Sequence, residues 1–197
     1  MRFAAVDEVE GDEALLTAVE RARRDRLVRA EDRAAYVAAH LLARACVAQL
    51  LGIAPAEVEL RQRCARCGSD QHGAPYVPGV LLPLHVSLSH TEGYVAAVAS
   101  QVRCGIDVEA VRSEPPPWGA LSGPEEAWVA SQADPGRAFT RLWVRKEALV
   151  KAGVGSLEKA AALDVLADGR PADRAAGLVL QEWSAAGAVG VCAFGAH

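Results

Sequence analysis

Apolar residues recur three and four apart across residues 13–51, at Leu15, Leu16 and Val19 and then at Tyr36, Val37, Leu41, Leu42 and Ala45. That period predicts helix. Glu31 and Asp32 suit the start of a second helical run, and Gly52 suits its end. From Val58 the period shortens towards two. VELRQRC (58–64) reads as a strand, and CARCGSDQHGAPYVPG (64–79) as a turn-rich loop. LHVSLSH, YVAAVAS and RCGIDVE then read as three short strands joined by TEG and QV, which predicts an antiparallel meander. RSEPPPWGALSGPEE carries three consecutive prolines and is a loop. A second helical block runs from Glu125 to about Ala152, broken near 134–136, and LVLQEW and GAVGVCAFG close the chain as strands.

Helices followed by strands thus occur twice, with a join near 101–104. The expected fold class is α+β: two similar halves, 1–101 and 102–197, each a helix on a small antiparallel sheet. The chain has 197 residues, 51% hydrophobic and 23% charged, as expected of a globular protein with a real core. It holds no run of 18 apolar residues, and its start, MRFAAVDEVEGDE, lacks the basic-then-apolar pattern of an export signal. A cytoplasmic protein away from membranes is the expectation. The net charge of −4 argues against nucleic acid as a partner. Cys46, Cys104 and Cys192 lie within apolar runs and read as buried thiols.

Charge is unevenly placed. Six arginines fall between Arg21 and Arg33 against Asp25, Glu31 and Asp32. They form either a solvated helix face or a cationic grip on a phosphorylated ligand. Lysine, by contrast, occurs only at 146, 151 and 159, so a lysine at a particular place invites a particular reason. Asp107 and Glu109 flank one residue of a predicted strand and project from one face. They are either two solvated carboxylates or hard oxygen ligands for a cation such as Mg²⁺. Glu147 and Lys151 are four apart on the second helical block, with Trp143 one turn earlier. A surface ion pair is the plain reading, a carboxylate and ammonium aimed at a ligand the sharper one. Ser89-His90 ends a strand, and no G-x-S-x-G motif accompanies it to suggest a hydrolase. Cys64, Cys67 and His72 provide at most three ligands where a structural zinc site takes four, so a reduced thiol pair is read there before zinc or a labile disulfide.

Taken in order, VSLSHTEGYVAAVA, CGIDVE and LWVRKEALVKAGVGSL resemble the signature of the Sfp-type 4′-phosphopantetheinyl transferases: serine-histidine at a strand end, G-[IV]-D-x-E, then W-x-x-K-E-[AS]-x-x-K. The resemblance extends to HLLAR ending at Arg44, to HGAPY at 72–76 and to the VCAFGAH terminus. It implies a monomeric enzyme, a pseudo-symmetric pair of α+β halves with the active site in the cleft between them, that moves the phosphopantetheine arm of coenzyme A to a serine of an apo acyl or peptidyl carrier protein, releasing adenosine 3′,5′-bisphosphate. It further implies that Asp107, Glu109 and Glu147 hold Mg²⁺, with Mn²⁺ as the alternative ion, that Glu147 is the general base, and that Lys151 binds phosphate. Arg44 and His90 would hold the 3′-phosphate, with Arg29 and Arg33 as lesser candidates and Ser89 beside them. Residues 71–74, including His72, Gly73 and Ala74, would line the adenine. Ala74 stands where the family carries lysine. The first helix, the prolines at 115–117 and residues 121–130 are expected to meet the carrier. The alternative function is a non-catalytic coenzyme A-binding or zinc-containing interaction protein.

Overall fold

The computed structural model describes residues 1–112 and 119–195. In chain order the elements are β1 (Arg2–Ala5), α1 (Ala18–Arg24), α2 (Ala30–Leu51), β2 (Arg61–Arg63), β3 (Ala74–Tyr76), β4 (His85–Thr91), β5 (Tyr94–Ser100) and β6 (Cys104–Ala110). They continue with α3 (Gly123–Ala130), α4 (Pro135–Lys151), β7 (Leu166–Ala167), β8 (Arg170–Pro171), β9 (Arg174–Ala175), β10 (Leu178–Ser184) and β11 (Ala188–Gly195). The result is a mixed α+β fold of helices on small antiparallel sheets. One sheet has the order β1-β5-β4 and another the order β6-β11-β10-β9, with β2-β3 and β7-β8 as separate hairpins.

Layering follows from which residues each strand turns inward. In α2, Ala35, Ala38, Ala39, Leu42, Ala43, Cys46 and Val47 make a narrow stripe at helical spacing, and they pack on Val86, Val95 and Ala97 of β4 and β5. The small side chains let the helix lie close to the sheet. The alternate residues of β5, Ala96 and Val98, face the other way and meet Ile106 and Val108 of β6 and Cys192 of β11. The opposite face of β11, Val189, Val191 and Ala193, packs under Leu142, Val144, Ala148 and Leu149 of α4. Both central sheets are therefore covered on both faces, which explains strands that read as continuous apolar runs. By length and hydropathy α2 could cross a membrane, yet 72% of its most apolar window is buried in this core.

Two expectations need correction. The second helical run starts at Ala30, beside the expected Glu31 and Asp32, but the first run divides, with Asp12 and Thr17 each capping a separate short segment. The predicted meander also ends after two strands. β6 pairs with β11, not β5, because its Gly105 face belongs under α4. A Cβ at Gly105 would strike the Ala148 carbonyl and the Ala152 amide, both rigid backbone. The strand can approach the end of α4 this closely only as glycine. β1 carried no sequence signal, and the proline loop at 115–117 lies outside the described residues.

Gly105→Ala is expected to cost about 3 kcal/mol, the upper end of overpacking penalties, since backbone cannot yield as a side chain can. Urea unfolding measures it. A loss under about 1 kcal/mol would mean that strand and helix separate freely.

Candidate active site

At one seam, β4 lies beside the open edge of β6, and side-chain hydroxyls take the place of a backbone ladder. The Ile106 amide donates to Ser87 Oγ (3.1 Å) and the Ala110 amide to Thr91 Oγ1 (3.1 Å). Between them Ser89 Oγ donates to Asp107 Oδ1 (2.7 Å), and Thr91 Oγ1 also bonds Glu109 Oε2 (3.1 Å). The period of two in VSLSHT thus aims three hydroxyls at one neighbour. Of these, the sequence marks Ser87 and Ser89 at the strand end, and Thr91 is the one it missed. Its spacing of two from Ser89, continuing the Ser87–Ser89 alternation, was the available signal.

Asp107 is 2% exposed, and its Oδ1 also accepts from Lys151 Nζ at 2.6 Å. Lys151 donates to Ser89 Oγ as well (3.0 Å). The surface-pair reading of Glu147 with Lys151 is therefore wrong: the ammonium reaches across from the end of α4 to β6. Lys146, five residues earlier, has a different duty. It is fully buried against Glu125 (2.7 Å) and donates to the carbonyls of Ala160 and Leu163, tying α4 to α3 and to the turn Leu157–Ala162. Glu125 also closes the cap of α3 at the Ser122 amide, so within 121–130 this residue is core and not docking surface.

Glu147, one turn before Lys151, faces the same carboxylates. Burial, and then the charge of Asp107, raise its pKa to about 7. Burial and Asp107 also raise Glu109. Three carboxyl groups thus share a region with one ammonium. Asp107 Oδ2 is buried with no hydrogen-bond partner among the described residues. An orphaned carboxylate oxygen, an all-oxygen donor set and surplus negative charge together fit a hard divalent cation.

Beside this cluster, His90 turns its ring edge-on to Tyr36, 6.1 Å between centroids. The imidazole keeps an exposed side, yet desolvation by its neighbours and then the Lys151 ammonium hold its pKa below the usual value. This contact brings it to the first turns of α2. Arg29, at the N-cap, is exposed and loosely paired with Glu31 at 3.7 Å. Arg44 is elsewhere. It is 1% exposed, bonded through Nη1 and Nη2 to both oxygens of Glu20 (3.1 and 2.6 Å), beside a His40 whose burial lowers its pKa to about 4. The expectation that Arg44 grips a ligand phosphate is corrected: its guanidinium is spent on joining α1 to α2.

Most of the other helix arginines are likewise engaged. Arg24 pairs with Glu13 (2.7 Å), and Arg33 donates to the Leu27 carbonyl (2.8 Å). Arg23 bonds Gln62 and the Asp70 carbonyl, and Arg26 reaches Gln71, so α1 and the turn after it hold the β2–β3 hairpin. Residues 71–74 run up the returning side of that hairpin, with His72, Gly73 and Ala74 exposed. A cavity of about 340 Å³ separates α1 from the hairpin, lined by Glu20, Arg23, Gln62, Asp70 and Tyr76 among others, and none of the three carboxylates borders it.

Residues 103–183 match the family model of the 4′-phosphopantetheinyl transferase superfamily. The matched stretch holds Asp107, Glu109, Glu147 and Lys151, while Ser89, His90 and the β2–β3 hairpin lie outside it. The match supports phosphopantetheinyl transfer in general terms. No curated protein matches the chain.

In chelator-treated protein the neutral Glu147 carboxyl contributes stability below its ordinary pKa of 4.5, and this is lost as pH rises through about 7. Glu147→Gln never ionises, so it should gain stability relative to the parent between about pH 5 and about pH 8. Urea unfolding in EDTA at both pH values tests this. A constant difference would mean that Glu147 titrates like an exposed carboxyl.

Proposed function

We propose that this protein is a 4′-phosphopantetheinyl transferase of the Sfp type, acting on coenzyme A and an apo acyl or peptidyl carrier protein. The observation that carries the reading is the joining of Asp107, Ser89 and Lys151 into one hydrogen-bonded unit, with Glu147 and Glu109 beside it. Three motifs that resemble the family's signature, and are distant in sequence, contribute to one site. The two helix-on-sheet halves would then be the pseudo-symmetric pair, with substrates in the cleft between them. The protein would act as a cytoplasmic monomer.

Asp107, Glu109 and Glu147 would hold Mg²⁺, or Mn²⁺ in its place, which when bound offsets the negative charge of the coenzyme A pyrophosphate. In the transfer, the carrier serine gives its proton to Glu147, either directly or through a water molecule. The serine oxygen bonds to the phosphorus that bears the pantetheine arm, and the bond from that phosphorus to the departing adenosine 3′,5′-bisphosphate breaks. A carboxyl near pH 7 in the unloaded protein suits proton acceptance under ordinary conditions. Lys151 stabilises charge on the phosphates, and Ser89 holds both Lys151 and Asp107 in position. Arg29 and the uncapped N-terminus of α2 supply positive potential for the 3′-phosphate, and His90 a hydrogen-bonding imidazole beside it. Residues 71–74 would line the adenine with backbone atoms. Ala74 leaves that side without a lysine, and Arg29 offers a cation without requiring one there.

The test is intact-mass spectrometry of an apo carrier incubated with this protein, coenzyme A and Mg²⁺. A metal-dependent gain of one phosphopantetheine is expected, and it should be absent with Glu147→Gln. Coenzyme A binding without transfer to any of several carriers would replace the reading with a binding protein. Asp107→Ala should lower transfer by roughly a hundredfold or more, with partial rescue by added Mg²⁺. Lys151→Arg should cost about tenfold or more, because a planar fork cannot place one charge between Ser89 and Asp107. Full activity of Asp107→Ala at low Mg²⁺ would remove the metal assignment.

A further inference from the structure

The tip of the β2–β3 hairpin has no core of its own. Every residue from Cys64 to Gly73 is exposed or only half-buried, so apolar packing cannot fix its shape. Its order comes instead from close turns. The Gly68 amide donates to the Cys64 carbonyl (2.9 Å) and the Cys64 amide to the Ser69 carbonyl (2.9 Å), with Gly68 in the left-handed region at φ 71°. On the returning side, Gly73 (φ 112°) lies so close to Arg63 and Cys64 that a Cβ would strike their backbone. This contact brings His72 back over the turn that carries the two cysteines.

The juxtaposition is chemical as well as steric. Sγ of Cys64, Sγ of Cys67 and a ring nitrogen of His72 all lie within 4.8 Å of one another. Both cysteines are free thiols. His72 Nε2 is 3.3 Å from Cys67 Sγ. In a tetrahedral zinc site, bonds of about 2.3 Å to sulfur and 2.0–2.1 Å to nitrogen put those two ligand atoms about 3.5 Å apart and two sulfurs about 3.8 Å apart. The 3.3 Å between Cys67 Sγ and His72 Nε2 is close to that sulfur–nitrogen spacing, and Cys64 Sγ lies within 4.8 Å of both. The backbone amides of Cys67 and then Arg66 turn towards Cys64 Sγ and favour its thiolate. Two thiolates would neutralise a divalent ion, and the sulfur-nitrogen donor set selects zinc over the hard ions that suit the carboxylate cluster.

We propose that Cys64, Cys67 and His72 bind one Zn²⁺ at the hairpin tip, with water in the fourth position. The group has three members among the described residues, which leaves that position to solvent. The ion supplies what the missing core does not: it clamps the ten-residue loop between β2 and β3 and fixes the two hairpin strands against Arg23 of α1 and Arg26 just beyond its end. The proposal is independent of the transferase reading.

The test uses the full chain, purified under reductant without chelator. Zinc content is measured by elemental analysis, and Co²⁺ replaces it as a spectroscopic probe. One ion per chain is expected, with a thiolate-to-cobalt charge-transfer band and the intense visible bands of a tetrahedral ion. Cys64→Ser and His72→Ala should each weaken binding by at least about a hundredfold, since even outer partners of metal ligands cost 10–100-fold. Both residues lie on the surface loop, and circular dichroism confirms that the variants fold. Asp107→Asn, in the carboxylate cluster, and His85→Ala, an exposed histidine of β4, should leave the ion and its spectrum unchanged. The proposal is overturned by a reduced protein that takes up neither ion, by a charge-transfer band that survives Cys64→Ser or His72→Ala, or by loss of the ion in Asp107→Asn.

Discussion

The seam between β4 and β6 governs the rest of this molecule. An open strand edge must satisfy its amides, and here Ser87 and Thr91 do so with hydroxyls. A hydroxyl can accept from the backbone and also leave room for a neighbouring side chain. A paired backbone strand would have filled the space where Ser89 meets Asp107. Closing the seam with side chains brings two sheets together and leaves a polar site along their junction.

Two further constraints set what that site contains. Gly105 lets β6 run under the end of α4, which brings Lys151 within reach of Asp107. Glu125 and Lys146, both without solvent exposure, anchor α4 from its other side. Removing either partner would leave an unpaired buried charge, among the costlier defects available to a protein. The helix is thus held at both faces, and its Glu147–Lys151 turn is presented to the carboxylates as a fixed object. The electrostatic consequence is a site with more negative charge than one ammonium offsets, in which burial first and then the charge of Asp107 raise the pKa values of Glu109 and Glu147.

Cysteine and arginine divide their work by location. Burial pushes the thiols of Cys104 and Cys192 up to about 11 and about 12, so they behave as apolar packing. Cys64 and Cys67 sit on an exposed turn beside a histidine and keep their chemistry. The arginines of the first helices look like one basic surface in sequence. In space Arg44 is core, Arg23 and Arg26 clasp the hairpin, and Arg29 stays open to solvent.

Much was legible in the residues alone. Hydrophobic period located α2, α4 and the strands from β4 to β6 and at the C-terminus within a few residues, because burial of one face imposes that spacing locally. Paired carboxylates two apart, a lysine in an arginine-biased chain and a serine-histidine at a strand end marked Asp107, Glu109, Lys151, Ser89 and His90. Partners were not legible. The exchange of β5 for β11 beside β6, the choice of Asp107 over Glu147 by Lys151, and the loss of Arg44 to Glu20 each join residues 18 or more positions apart or reject a near neighbour for a distant one. Spacing along a chain reports which side chains share a face. Which group a charge finally meets depends on desolvation and approach distance, and those quantities exist only once the sheets and helices have packed.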